Sequence, residues 1–114
     1  VKQGKNQTPR IFSGNIPLYD NAETERLAMI AKALSDPIRI QMVYFLQNRS
    51  DLCTCEFEEL LGLAQSKVSY HLNILFKAKL IEREIHGSWS HYKLRDQDVF
   101  RKLQTLRSST VKQS

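Results

Sequence analysis

The feature that most restricts this chain is a change of rhythm near its middle. Up to about Lys79 apolar side chains recur at helical spacing, and beyond it they recur at every second residue. Just before the change stand two short helical segments separated only by Gly62-Leu63-Ala64. In the first, Phe57, Leu60 and Leu61 share a face, and Gly62 is suited to end the helix because it takes a left-handed backbone without a Cβ penalty. In the second, opening near Gln65, Val68, Leu72 and Leu75 form the apolar stripe, opposite Ser66, Lys67, Ser69, Tyr70 and Asn73. Two helices joined by a turn of about three residues containing glycine make a helix-turn-helix. After it, Ile81–Ile85 and Trp89–Leu94 alternate in polarity around His86-Gly87-Ser88, which predicts a β-hairpin.

Upstream, Leu27, Ile30, Ala31 and Leu34 recur at i, i+3, i+4 and i+7, the pattern of an amphipathic helix. Asp36 then reads as an N-cap and Pro37 as the first helical residue of a segment running to about Gln47. That segment is apolar nearly all round, which places it in the middle of a core. Near the end, Val99, Phe100, Leu103 and Leu106 again keep helical spacing from Asp96 to about Arg107. The fold class predicted is mainly α with a β-hairpin, a dimeric winged helix-turn-helix. Residues 1–20 form an N-terminal arm whose Ile11, Phe12, Ile16 and Leu18 are candidates for packing. Residues 21–108 form the domain, and 109–114 a frayed C-terminus.

Composition narrows the function. A chain of 114 residues holds one domain and is too short for a catalytic barrel. The scattered four glycines build no phosphate loop, and no Ser/His/Asp arrangement is spaced for nucleophilic catalysis, so no enzyme and no organic cofactor are expected. No apolar run approaches the ~18–20 residues of a membrane helix, and no signal peptide opens the chain, which predicts a cytoplasmic protein without a membrane partner. The net charge of +5 raises the odds of a polyanionic partner.

A helix of about 13 residues is ~20 Å long, enough to lie in a DNA major groove ~12 Å wide. Gln65, Ser66, Lys67, Ser69, Tyr70, His71 and Asn73 are the short donors, cation and adaptable rings such a helix uses on bases and phosphates. The alternative is an ordinary solvated face, and for His71 a contact between helices. The turn before and the hairpin after favour double-stranded DNA. On the hairpin, Arg83, His86, Ser88 and Lys93 are candidates for the backbone or minor groove, whereas Trp89 reads as a packing residue. One reading helix covers too little DNA for tight specificity, which predicts a homodimer on a site of dyad symmetry.

Cys53 and Cys55 are the chain's two cysteines. Cys53 lines up with Phe57 and Leu60 as a small buried hydrophobe would. In a regular helix the two side chains would point about 200° apart and could not grip one ion. Chelation then requires the helix start, with Asp51 or Thr54 as its cap, to be distorted, and a thiophilic ion could bend it. The helix N-terminus lowers thiol pKa values, opposed here by Glu56, Glu58 and Glu59. The packing and ion-binding readings both stand.

Leu52-Cys53-Thr54-Cys55, the stretch Gln65–Leu72 (QSKVSYHL) and Ala33–Leu46 (ALSDPIRIQMVYFL) together resemble the ArsR/SmtB family of bacterial metal-sensing repressors over roughly residues 25–108. The resemblance implies a homodimer that blocks transcription at a dyad-symmetric operator and releases it when arsenite or antimonite binds Cys53 and Cys55. It implies that the first and last helices, with Leu27, Ile30, Val99, Leu103 and Leu106, form the dimer interface. Some arsenic sensors carry a third cysteine where this chain has Glu58. Cadmium/lead sensors add cysteines from an arm, and residues 1–50 here have none. Zinc and nickel sensors use acidic and histidine ligands on the last helix, where this chain offers Asp96 and Asp98 without histidine. Other readings are the same fold responding to cadmium, lead, bismuth or a thiol oxidant, and a winged-helix module that docks protein. A thiol-redox enzyme is disfavoured by Cys-x-Cys spacing.

Overall fold

The computed structural model describes residues 14–110. In chain order they form α1 (Asn21–Ala33), α2 (Pro37–Asn48), β1 (Leu52–Cys53), α3 (Thr54–Leu61), α4 (Gln65–Lys77), β2 (Ile81–His86), β3 (Trp89–Leu94) and α5 (Val99–Thr110). Asp36 caps α2 as its sequence predicts. Its extended backbone and its carboxylate, accepting from the Ile38 N–H at 2.7 Å, start the helix, and Pro37 occupies the first turn without wasting a donor. Met42, Val43 and Leu46 of α2 lie at the centre of the core with Phe57, Val68, Leu72, Leu75 and Ile81. Each such side chain contributes roughly 1.5–3 kcal/mol on burial. The helix is not buried all round. Tyr44 is exposed and stacks on Phe100 of α5, ring centroids 5.0 Å apart.

The α3–α4 turn rests on Gly62, whose φ of 66° lets its own N–H and that of Leu63 both reach the Glu58 carbonyl, at 2.8 and 3.3 Å. A Cβ there would meet nothing within 4 Å, so backbone conformation and not space selects glycine. Helix α4 ends differently. Lys79 takes a left-handed φ of 62°, the Leu80 N–H reaches back to the Leu75 carbonyl at 3.1 Å, and the Arg26 guanidinium donates to the Ala78 carbonyl.

The hairpin pairs Ile81 with Leu94 through His86 with Trp89 across a two-residue turn, with Gly87 at φ 64°. The sheet has a third strand that the sequence pattern does not reveal. β1 pairs antiparallel with β3, Leu52 opposite Tyr92 and Cys53 opposite His91, giving the order β1-β3-β2. Helix α5 extends to Thr110, two residues past the expected end of the domain. Ile11 and Phe12 lie outside the described residues. Ile16 and Leu18 of the arm are exposed on this chain. Leu60 is also exposed, leaving Phe57 as the buried anchor of α3.

Candidate nucleic-acid interface and thiol pair

The stripe Val68, Leu72, Leu75 seats α4 in the core, and this turns Gln65, Ser66, Lys67, Ser69, Tyr70 and Asn73 to the surface. Gln65, Ser69, Tyr70 and Asn73 line one wall of a polar cleft of about 480 Å³ between α4 and the hairpin. Thr54, Leu72, Phe76, Arg83, Ser90 and Tyr92 line the rest. The Arg83 guanidinium lies 4.6 Å from the centre of the Phe76 ring, a cation–π contact that holds the charge at the cleft. Thr54, Phe76 and Ser90 escaped the sequence reading because cleft walls depend on how elements pack. His86 and Lys93 stand on the opposite face of the hairpin, where Glu84 engages both, at 3.1 and 3.8 Å. Ser88 is exposed in the turn. Trp89 is exposed at the tip, contrary to its packing assignment.

His71 does not belong to the exposed face. It is buried, with 4% of its surface accessible, and its Nδ1 lies 2.8 Å from an Arg39 guanidinium nitrogen. Arginine only donates, so Nδ1 is an acceptor and the imidazole is neutral. Burial, aided by the charges of Arg39 and Lys67, holds the His71 pKa below its ordinary 6.5, while Asp36 pulls the other way. Arg39 also donates from Nε to the Ala33 carbonyl at 2.6 Å, joining the end of α1 to α2 and α4. The Asp36 carboxyl is held below its usual range, chiefly by the Ile38 N–H and secondarily by His71 and Arg39.

The thiol pair has a different geometry from that of two helical residues. Cys53 precedes the helix, in extended backbone at φ −89° and ψ 166°, and is itself the N-cap of α3. Neither Asp51 nor Thr54 caps α3. Asp51 instead pairs with His91 at 3.0 Å. The Cys53 N–H donates to the Glu56 carboxylate at 2.9 Å, and the Sγ atoms of Cys53 and Cys55 lie 2.6 Å apart. Both sulfurs therefore already face one point, and no unwinding is needed to bring them together. Cys53 is buried and Cys55 exposed, which opens the pair to solvent on one side. The backbone N–H at the helix terminus lowers the Cys55 pKa only slightly, and the net shift is upward. The hydrogen bond to Cys53 raises it, followed by desolvation and the negative charge potential of Cys53 and Glu56. Two converging thiols are a donor set for a thiophilic ion. Among the described residues, no group of three or more His, Cys, Asp and Glu side chains is placed to hold a metal ion. Asp96 and Asp98 are engaged at the entry to α5, where Asp98 gives its N–H to Asp96 and its carboxylate to Arg101.

Leu27, Ile30, Val99, Leu103 and Leu106 line a single groove of about 780 Å³ between α1 and α5. Its floor is apolar and its rim carries Arg26, Lys79, Arg95 and Lys102. Among the described residues, no helix is long and apolar enough to cross a membrane.

Residues 36–83 match the profile of the family described as bacterial regulatory protein, arsR family. The chain is 46% identical over 68 residues to the arsenical resistance operon repressor of Bacillus subtilis. That match covers 60% of this chain and 65% of the repressor, just under two thirds of its length. An uncharacterized HTH-type transcriptional regulator of Methanocaldococcus jannaschii is 35% identical over 75 residues, covering 66% of this chain and 84% of that protein. Among solved structures, a homodimeric winged helix-turn-helix DNA-binding domain from Mycobacterium bovis superposes with a TM-score of 0.73 at 19% identity. It covers 86% of this chain and 94% of its own. The fold is a winged helix-turn-helix.

Proposed function

This chain belongs to the arsR family of bacterial regulatory proteins, and from that premise we propose that it is a homodimeric repressor that arsenite or antimonite releases from a dyad-symmetric operator. The family is one of DNA-binding regulators and not of enzymes. One observation carries the inducer assignment: two thiols 2.6 Å apart at the start of the first helix of the helix-turn-helix. The resistance to arsenicals named for the Bacillus subtilis relative supports it.

The chemistry follows from the donors. Arsenite is a trihydroxide at neutral pH. Each thiol proton leaves with one hydroxide as water while its sulfur bonds to arsenic. The third place keeps a hydroxide or takes an outside thiol. Two metal–sulfur bonds of about 2.3 Å meeting near a right angle would hold sulfurs about 3.3 Å apart, a separation within reach of the two converging thiols. Capture would lock Cys53 of β1 and Cys55 of α3 to one centre and strain the first turn of α3 against β1. In the DNA complex, Gln65, Ser66, Lys67, Ser69, Tyr70 and Asn73 meet the major groove. Arg83, Ser88, His86 and Lys93 meet the flanking backbone. Leu27, Ile30, Val99, Leu103 and Leu106 join the protomers.

The test is binding of the full chain to a 30-bp duplex that it selects from a random pool, with and without arsenite. Wild type is expected to lose affinity by about tenfold or more, a coupling within the usual ~1–3 kcal/mol of allosteric proteins. Cys53→Ser and Cys55→Ser are expected to bind the duplex normally and to ignore arsenite. Release of the double serine variant by arsenite would overturn the ligand assignment. Release of wild type by cadmium alone would move the inducer to the divalent ions.

A further inference from the structure

We propose that the outer face of the hairpin carries a site for a borderline divalent transition-metal ion, held by His86 and His91. Imidazole suits zinc, copper and nickel, whereas the thiol pair is a donor set for softer ions. The site depends neither on the DNA reading nor on the inducer reading. The register pairs His86 with Trp89 and His91 with Glu84, so the two histidines are diagonal neighbours on adjacent strands. Side chains alternate between faces, and this face is turned away from the cleft that Arg83 and Ser90 line. The two ring centres lie 4.7 Å apart, with their planes at 75°. Two imidazoles on one ion, with metal–nitrogen bonds of about 2.0–2.1 Å meeting at roughly 90–110°, have centres about 4.5–5.2 Å apart. The rings already stand at the separation that shared coordination demands.

The groups behind each ring are a second, independent observation. His86 Nε2 lies 3.1 Å from the Glu84 carboxylate, and His91 Nδ1 lies 3.0 Å from that of Asp51. An ionised carboxylate only accepts, so each of these nitrogens carries a proton. The metal-binding lone pairs then belong to Nδ1 of His86 and Nε2 of His91, and any proton there leaves as the ion binds. A carboxylate behind a histidine fixes its tautomer and orientation and raises its basicity, as it does for metal-bound histidines in general. Lys93 lies 3.8 Å from the other oxygen of Glu84 and is held there. Among the described residues, no group of three His, Cys, Asp or Glu side chains is placed to hold an ion, so water fills the remaining positions. His86 is exposed and His91 half-buried, which keeps the site open to solvent. An ion there cross-links β2 to β3 and, through Asp51, engages the residue before β1. All three strands of the sheet are then tied together.

Trp89 stands opposite His86 and is the chain's single tryptophan, so a paramagnetic ion held at the histidines quenches its emission. The experiment uses the untagged full-length protein carrying Cys53→Ser and Cys55→Ser, which removes the competing thiols, in the absence of DNA. Copper(II) is the probe, because nitrogen sites bind it most tightly among the divalent first-row ions. Equilibrium dialysis counts the ions bound, Trp89 emission locates them, and a thermal melt is repeated with zinc(II). Expected are one copper ion per protomer, saturable quenching, and a higher melting temperature in zinc(II). Asp51→Ala and Glu84→Ala should each lower copper affinity about tenfold, the usual effect of removing a partner behind a ligand, and His86→Ala and His91→Ala by more. His71→Asn should leave the affinity unchanged, since that ring is buried against Arg39. Far-UV circular dichroism verifies that each variant is folded. Quenching that is absent or does not saturate would overturn the site. So would wild-type copper affinity in His86→Ala or His91→Ala, which would put the ion on another group. Wild-type affinity in both carboxylate variants would overturn the role of Asp51 and Glu84 in holding the rings. With no DNA present, none of these failures bears on the repressor reading.

Discussion

His71 makes stability depend on pH in a direction that can be worked out from its surroundings. The groups facing it are the Arg39 guanidinium at 2.8 Å, the Asp36 carboxylate and the Lys67 ammonium. A proton on the ring would remove the acceptor that Arg39 uses and set two cations side by side. At that distance and an effective dielectric of 20 their repulsion is about 6 kcal/mol, comparable with the whole stability of a small domain. Asp36 offsets part of it, and the net effect is a pKa below 6.5. The unfolded chain binds the proton that the folded chain refuses. His71 therefore contributes its full stability above pH 6.5, and this is lost as the pH falls below that value. The slope approaches at most about 1.4 kcal/mol per pH unit and ends at the folded-state pKa. His71→Asn keeps an oxygen where Nδ1 stood and so keeps an acceptor for Arg39 without a titrating group. The assay is urea unfolding followed by far-UV circular dichroism from pH 7.5 to 5.0 at fixed protein concentration. Groups common to both proteins cancel in the difference. The midpoint of wild type should fall below pH 6.5 relative to that of His71→Asn. Parallel curves for the two proteins across this window would refute the reasoning.

Lys67→Ala should weaken binding to every duplex alike and lower the salt slope by about one, read from Kd between 50 and 200 mM salt. Lys79→Gly should raise stability by about 0.5–1 kcal/mol in urea unfolding, because glycine takes the left-handed φ of 62° without a Cβ clash. Leu103→Glu places a charge in the groove between α1 and α5 and should shift sedimentation velocity from dimer to monomer at micromolar concentration.

Where local periodicity carries the information, the sequence was legible. The Asp36-Pro37 start of α2, the Gly62 end of α3 and the Gly87 turn each depend on backbone chemistry within a few residues. Strand β1 was not legible. It has two residues, too few for an alternating pattern, and its partner Tyr92 lies 40 positions away. That strand removes Cys53 from the helix, so the 200° objection to chelation applied a helical geometry to a residue outside the helix. His71 carried a signal that residue type obscured. Val68, His71, Leu72 and Leu75 stand at i, i+3, i+4 and i+7, which places the histidine on the buried stripe. Its polarity suggested the surface, and only Arg39, 32 positions away, satisfies it in the interior. The wing tip shows the reverse case, since an apolar tryptophan reads as core wherever the alternation does not say how far the core extends.

The attachments of the thiol pair decide which part of the domain an inducer can move. Cys53 belongs to β1, paired with the wing strand β3, and Cys55 to the first turn of α3, which packs on α4. Locking the sulfurs to one centre therefore strains both halves of the reading head. The weakest tie at that point is the Cys53 N–H to Glu56 hydrogen bond, a charge-assisted contact of about 1.5–3 kcal/mol. One turn further on, Phe57 is fully buried and meets Tyr92 edge to face, at 6.4 Å between ring centres. Removing Phe57 from the core costs at least as much again and would open a cavity as well. The first turn of α3 should therefore give way while Phe57 stays seated, so that release of DNA is a local distortion and not an unfolding. A ligand that binds only the folded chain also raises its stability. Arsenite should thus lower affinity for the duplex and raise the melting temperature of the same sample. A melting temperature that fell as DNA was released would mean that the inducer acts by unfolding the domain, and the local mechanism would be wrong.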